Sequence, residues 1–350
     1  MSGTRDCESR GTSAVPLAAA SLAGGVGLAV AFWRSGLTSA VSGALVVAGL
    51  VLAIQLAGRL LAWALTHRQP THRPGRVGAV LLGVVSAVVA LVTLVWGAQQ
   101  DMMFPGAHDD ADRAALQGLP GYSEVRFTGV DGVAYNGMLY QPSDAPNGLI
   151  VYFGGNGEVS YAKMALYAHG GDWSDLDDFA FLDVDYAGYG MNTGQASMNT
   201  IYAESLAVYD YATGLPGAAR IVGMGFSIGT GAAVYLAAHR ALAGLVLYAP
   251  YANGYDLYNA VLPIFHGPVR VLARYKLPSD QYAPQVTCPV LVVASRADQT
   301  VPFASSQRLA GLFAGDVSFY TVGGASHNEV PSAAGVPARV KAFLQQVTSQ

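Results

Sequence analysis

From Leu149 onward the sequence repeats one unit: a short run of continuous apolar residues, a polar turn, then a helical stretch. The apolar runs are Leu149–Phe153, Phe179–Asp183, Arg220–Met224, Gly244–Tyr248, Pro289–Ala294 and Val317–Val322. Helical patterns cover Tyr161–His169, Thr200–Thr213, Gly229–His239, Ser305–Phe313 and Val336–Gln346. Strands that are apolar without alternation must be covered on both faces, which predicts an α/β protein with a mostly parallel sheet between helices. Ahead of them, Glu124–Thr128 and Ala134–Tyr140 flank Asp131-Gly132 and read as a hairpin. Tyr251–Val286 breaks the rhythm and is rich in Tyr and Pro, which predicts a small lid over the sheet.

The first hundred residues are different. Three uncharged apolar stretches, at 14–33, 37–58 and 77–96, each approach the roughly 20 residues needed to cross a bilayer core. Trp33, Trp63 and Trp96 sit at or near their ends, where indoles favour the interface. A cleavable signal peptide is an alternative for the first stretch, with Arg5 and Arg10 before it, but two further stretches follow. Residues 1–98 are therefore expected to be a membrane region with about three spans, and 99–350 a water-facing catalytic domain with its lid at 251–286.

Charge follows the same division. Residues 1–100 hold seven Arg and two acids, and the remainder is acidic, giving a net −4. Only 12% of residues are charged, which excludes a disordered chain and a nucleic-acid-binding one. Arg68, Arg73 and Arg76 cluster between the second and third stretches, whereas Arg34 alone lies in the first link. The positive-inside rule then puts the catalytic domain on the extracytoplasmic side, and two spans would reverse that. Cys7 and Cys288 lie on opposite sides of the divide, so a disulfide between them is not expected, and no Cys/His cluster has zinc-site spacing.

The chemistry centres on Gly225-Phe226-Ser227-Ile228-Gly229, between an apolar strand and a helix. That is the setting of the G-x-S-x-G elbow, in which a serine sits on a tight turn, although the fragment also fits a turn holding an inert serine. A serine hydroxyl needs a base, and the base needs an orienting acid. Asp298 and His327 each follow a strand, in the order Ser, Asp, His, and both fall where active sites of parallel sheets collect. The oxyanion of an acyl-transfer intermediate would take the N–H of Ile228 and one from Gly154-Gly155-Asn156 after the first parallel strand. That loop lacks the Lys and Ser/Thr of a phosphate-binding loop. Gly154, Gly155 and Tyr251 are candidate substrate-contacting residues. Asp185, in Asp183–Gly190, reads as a loop-holding acid rather than a metal ligand.

Taken in order, these segments resemble the α/β-hydrolase superfamily. More narrowly they are similar to its membrane-anchored branch of bud-emergence-type hydrolases and protein depalmitoylases. The resemblance covers about Gln99–Gln346 and rests on Gln99, Gln100, Phe104 and Pro105, on Gly154-Gly155-Asn156, and on Asp185–Gly190. It rests also on Gly194 and Ser197, on the elbow at Ser227, on Asp298 with Val301-Pro302, and on His327. The sequence departs from that pattern at Gly154, where His is usual, and at Ala187, where Arg is common; three spans also exceed the usual single anchor. The resemblance implies a serine hydrolase cleaving an ester or thioester through an acyl-enzyme. Its partners would be a hydrophobic acyl substrate and the lipid bilayer, without nucleic acid, metal or organic cofactor. A serine peptidase, a noncatalytic hydrolase-like receptor or scaffold, and a transporter subunit are the alternatives; the spans carry no acid and no His, which argues against a polar path through them.

Overall fold

The computed structural model describes residues 97 and 99–349, apart from 109, 110, 131, 172, 173 and 262. The expected spans at 14–33, 37–58 and 77–96, Cys7 and Asp131 lie outside the described residues. Among the described residues no helix is long and apolar enough to cross a membrane. Residues 99–350 form one compact unit.

Among the described residues eight strands make one sheet in the order β1-β2-β4-β3-β5-β6-β7-β8. They are β1 Tyr122–Thr128, β2 Ala134–Tyr140, β3 Leu149–Phe153, β4 Ala180–Val184, β5 Ile221–Phe226, β6 Gly244–Tyr248, β7 Val290–Ser295 and β8 Val317–Val322. β1 pairs antiparallel with β2, and β2 antiparallel with β4; all other pairs are parallel. Every residue of β3 to β7 is buried, as strands covered on both faces require. At the edges the cover is partial: β1 and β8 each have a single buried residue, Val125 and Val322.

Among the described residues from 111 onward the helices are α1 Ala111–Leu116, α2 Ser160–Ala168, α3 Met198–Ala212, α4 Gly229–His239, α5 Gly254–Val261, α6 Ser279–Tyr282, α7 Phe303–Ala310 and α8 Val336–Thr348. Most boundaries fall within a residue or two of the sequence reading. Arg220 is the main shift: it closes a 3-10 turn, and β5 runs on to Phe226 because Gly225 and Phe226 pair with Leu247 and Tyr248 of β6. α3 starts with a capping box in which Ser197 and Thr200 bond each other's backbone N–H.

Two features of this topology position the site. The chain reverses direction across the sheet at β3, which lies between β4 and β5, and ligands of open α/β sheets collect at such a point. The β3–β5 register sets Phe153 opposite Gly225, so the loops that follow these strands meet. The segment 251–286 folds as α5, a 3-10 helix Gly267–Leu272 and α6 between β6 and β7. Its aromatics Tyr251, Tyr258, Phe265 and Tyr275 point inward and are buried.

Candidate active site

β5 ends in a serine that its backbone holds in an uncommon conformation. Ser227 has φ +52°, a left-handed value costing a non-glycine residue about 1–2 kcal/mol. Its N–H donates to Tyr248 O at 3.0 Å, and its carbonyl accepts from Thr230 N–H and Oγ1. Gly229 lets this turn approach β3: a Cβ there would lie 2.1 Å from Phe153 O, inside any real contact. Ile228 follows as the N-cap of α4, and in the first turn Gly231 N–H bonds back to Ile228 O at 3.2 Å.

His327 and Asp298 converge on the same serine. His327 Nε2 lies 2.8 Å from Ser227 Oγ, and Nδ1 lies 2.7 Å from Asp298 Oδ2. A neutral ring with Nδ1–H donating to the carboxylate leaves Nε2 to accept the serine proton. Asp298 Oδ1 accepts from Thr300 N–H at 2.8 Å and Val301 N–H at 2.9 Å, so one oxygen is held by the loop backbone and the other faces His327. The Asp298 side chain is 2% exposed and that of His327 12%, which screens the pair from water while leaving the ring an open edge. The His327 ring stacks on Phe226, with centroids 5.0 Å apart.

Side chains that the sequence reading passed over brace these loops. Ser295 Oγ donates to Ala325 O at 2.6 Å, linking the end of β7 to the histidine loop. Ser326 N–H and Oγ both bond Glu329, closing the turn that carries His327. These hydrogen bonds hold the exposed Glu329 carboxyl below the ordinary range. Ser326-x-x-Glu329 is the S-x-x-E capping signature, so this brace had a legible sequence signal.

The loop after β3 is built around Glu158, which the sequence reading also missed. Its carboxylate accepts from Tyr152 Oη and Gly155 N–H, both at 2.7 Å, and pairs with Lys163 Nζ at 2.7 Å. Glu158 also lies 3.2 Å from where a Cβ on Gly154 would stand, in the space a side chain there would need. Gly154 and Gly155 are therefore buried packing residues: Gly154 O accepts from Tyr186 Oη, and Gly155 lies against Phe226. Asn156 is exposed at the tip of the loop. Its Nδ2 donates to Met102 O at 2.9 Å and its Oδ1 accepts from Tyr189 Oη at 3.1 Å, so the side chain is tied down at both ends.

Tyr251 does not line the site. It is fully buried behind α4, where its hydroxyl donates to Ile228 O at 3.1 Å and fills the space beside Gly231. The expectation that it touches substrate is corrected: it supports the first turn of α4 from behind. Asp185 holds its loop as expected, accepting from Ser160 N–H at 2.7 Å and Met191 N–H at 3.0 Å. Behind that loop Asp183, Asp185 and Glu204 are buried together. Burial first, and then their neighbours' negative charge, pushes the carboxyls of Asp183 and Glu204 well above the ordinary carboxylate range. Burial also raises that of Asp185, against the pull of its hydrogen bonds.

No family model matches the chain. An uncharacterized protein of Mycobacterium tuberculosis (strain CDC 1551 / Oshkosh) is 31% identical over 256 residues, spanning 70% of this chain and 88% of that one. The alpha/beta hydrolase domain-containing protein aho-3 of Caenorhabditis elegans is 29% identical over 195 residues, 55% of this chain and 56% of its own. Among solved structures, Est1E from Butyrivibrio proteoclasticus superposes with a TM-score of 0.52 at 19% identity, covering 65% of this chain and 99% of that one. The Pyrococcus furiosus esterase Pf2001 shows the same fold, with a TM-score of 0.51 at 16% identity over 65% of this chain and 89% of that one. The chain has the fold of these esterases.

Proposed function

We propose that the protein is a membrane-anchored serine hydrolase that cleaves an ester or thioester of a hydrophobic acyl group. The observation carrying this reading is the unbroken chain from Ser227 Oγ through His327 to Asp298, at 2.8 and 2.7 Å, on a serine strained at φ +52°. In this mechanism Ser227 Oγ attacks the carbonyl carbon while His327 Nε2 takes its proton. Asp298 stays ionised and stabilises the imidazolium. The oxyanion of the tetrahedral intermediate takes the N–H groups of Ile228 and Asn156. As the intermediate collapses, His327 returns the proton to the departing alcohol or thiol, leaving Ser227 acylated. Water, deprotonated by His327, then attacks the acyl-enzyme and releases the acid. The reaction as written needs no metal or organic cofactor.

The membrane part of the reading is supported by the three apolar stretches at 14–33, 37–58 and 77–96, each near the span length, and the arginines between them support an extracytoplasmic catalytic unit. Alkaline phosphatase fused to the C-terminus is expected to be active; bright fluorescence from a cytoplasm-type reporter there, without phosphatase activity, would reject that location. The catalytic reading is tested by fluorophosphonate labelling of the full chain. Ser227→Ala should abolish labelling and ester turnover while the protein stays folded, and undiminished labelling would move the nucleophile elsewhere.

A further inference from the structure

The segment between α5 and α6 has two unlike faces. Tyr258, Phe265 and Tyr275 turn inward, with Tyr258 and Phe265 ring centroids 4.9 Å apart and Phe104 edge-on to Tyr275 at 4.9 Å. Outward, Val261 is 71% and Val271 75% exposed, with Ile264 and Val269 beside them in sequence and also exposed. Exposed aliphatic side chains close together in the sequence, in a stretch whose aromatics are buried, signal a surface that meets something apolar. The same stretch carries exposed Arg270, Arg274 and Lys276, and no acid lies between Val261 and Lys276. This local positive charge stands out on a unit whose residues 101–350 carry a net −9.

The segment is also where the chain enters the unit. Gln99 Nε2 donates to Leu272 O at 2.9 Å, and Arg274 N–H donates to Gln99 Oε1 at 2.6 Å. The 98 residues before Gln99 include the three apolar stretches. The chain thus enters this unit beside the segment that carries Val271. The segment is preformed: Asn259 clamps the backbone of Phe265 from both sides, and Tyr275 N–H donates to Tyr258 Oη at 3.2 Å. Little ordering entropy would be lost on docking.

We propose that the outward face of Val261–Lys276 docks on an anionic phospholipid surface, with the aliphatic ridge in the interface and Arg270, Arg274 and Lys276 at the headgroups. This rests on the membrane reading above and deepens it. Apolar insertion and headgroup attraction act together in such interfacial segments. Because this segment joins β6 to β7 beside the strand ends that carry Ser227 and Asp298, docking would face the candidate site toward the leaflet that holds an acyl substrate.

The test uses the full chain in bilayers of phosphatidylcholine with or without phosphatidylglycerol. Nitroxide labels at Val261→Cys, Val271→Cys and, as a water-facing control, Val130→Cys are placed in a Cys7→Ser, Cys288→Ala background whose fold is checked by fluorophosphonate labelling. Val130 is 98% exposed in the β1–β2 turn. The expected result is that labels at 261 and 271 gain access to oxygen and lose access to a nickel chelate when phosphatidylglycerol is present, whereas the label at 130 does not. Arg270→Ala and Arg274→Ala should each lower the docked-to-undocked ratio about fivefold, the equivalent of about 1 kcal/mol per basic residue at an anionic leaflet. Labels at 261 and 271 as water-exposed as that at 130, in a chain that resists carbonate extraction, would overturn the docking alone. Extraction by carbonate would overturn the membrane reading beneath it. Shielding in detergent that grows with protein concentration would assign the ridge to a second copy and also overturn the proposal.

Discussion

Asp298→Asn is the sharpest perturbation of the site, because the hydrogen bonds dictate which way the amide must turn. In the native site Oδ1 accepts two backbone N–H groups, at 2.8 and 2.9 Å, and Oδ2 accepts from His327 Nδ1 at 2.7 Å. Asparagine has one oxygen and one NH₂. Turning the NH₂ toward Thr300 and Val301 would face donors with a donor and leave two amides unsatisfied, at about 1–3 kcal/mol each. The oxygen therefore stays with the backbone and the NH₂ faces Nδ1. His327 must then carry its proton on Nε2, where it cannot accept the proton of Ser227. The volume is unchanged and the backbone bonds survive, so stability should move by less than about 1 kcal/mol. The rate should fall by about 10⁴, or ~5.5 kcal/mol of transition-state stabilisation, the size seen when a triad histidine is locked in the wrong tautomer. Steady-state turnover of a p-nitrophenyl ester, with thermal melting of the same preparations, measures both. A variant within tenfold of wild type would refute the argument that Asp298 sets the tautomer. A rate loss accompanied by a collapse in melting temperature would refute the claim that the loop survives.

Glu158→Ala should cost more stability than Asp298→Asn, because it removes two hydrogen-bond donors' common acceptor and the carboxylate facing the largely buried Lys163. A loss of about 3 kcal/mol is expected, a fall in melting temperature of roughly 6–12 °C for a unit of this size. It should also lower kcat through the loop that carries Asn156, and an unchanged kcat would separate that loop from the chemistry. Glu204→Gln addresses the buried acids. Because the folded-state pKa of Glu204 is raised, the folded protein binds the extra proton, and that contribution to stability fades as pH rises above the unfolded value through the folded one. The wild type should therefore lose stability with rising pH above about 4.5, and the glutamine variant should show a flatter profile in melts taken across that range. Identical slopes would show that Glu204 is ionised in the folded state.

Local physics made the fold class and the serine–histidine–aspartate set readable. A strand buried on both faces must be apolar throughout, and a tight elbow must carry glycine where backbones touch. Leu149–Phe153, Gly244–Tyr248 and Gly225–Gly229 therefore announce themselves within a few residues. Asp298 and His327 were legible because parallel strands all end on the same edge, so a polar residue just past a strand is already near the others. Strand order was not legible, since the β4-β3-β5 arrangement depends on pairing between segments far apart in the chain. Nor was the direction of a side chain: Tyr251 resembles a cleft residue in composition, yet packing beneath Ile228 turns it inward. Glu158 and Glu204 look like ordinary surface acids in one dimension. Only the fold closes Tyr152, Gly155 and Lys163 around the first and buries the second behind Asp183 and Asp185. Hydrophobic period and turn chemistry act over a few residues and are written in them, whereas burial and partnership of a polar group are set by whatever the rest of the chain brings to it.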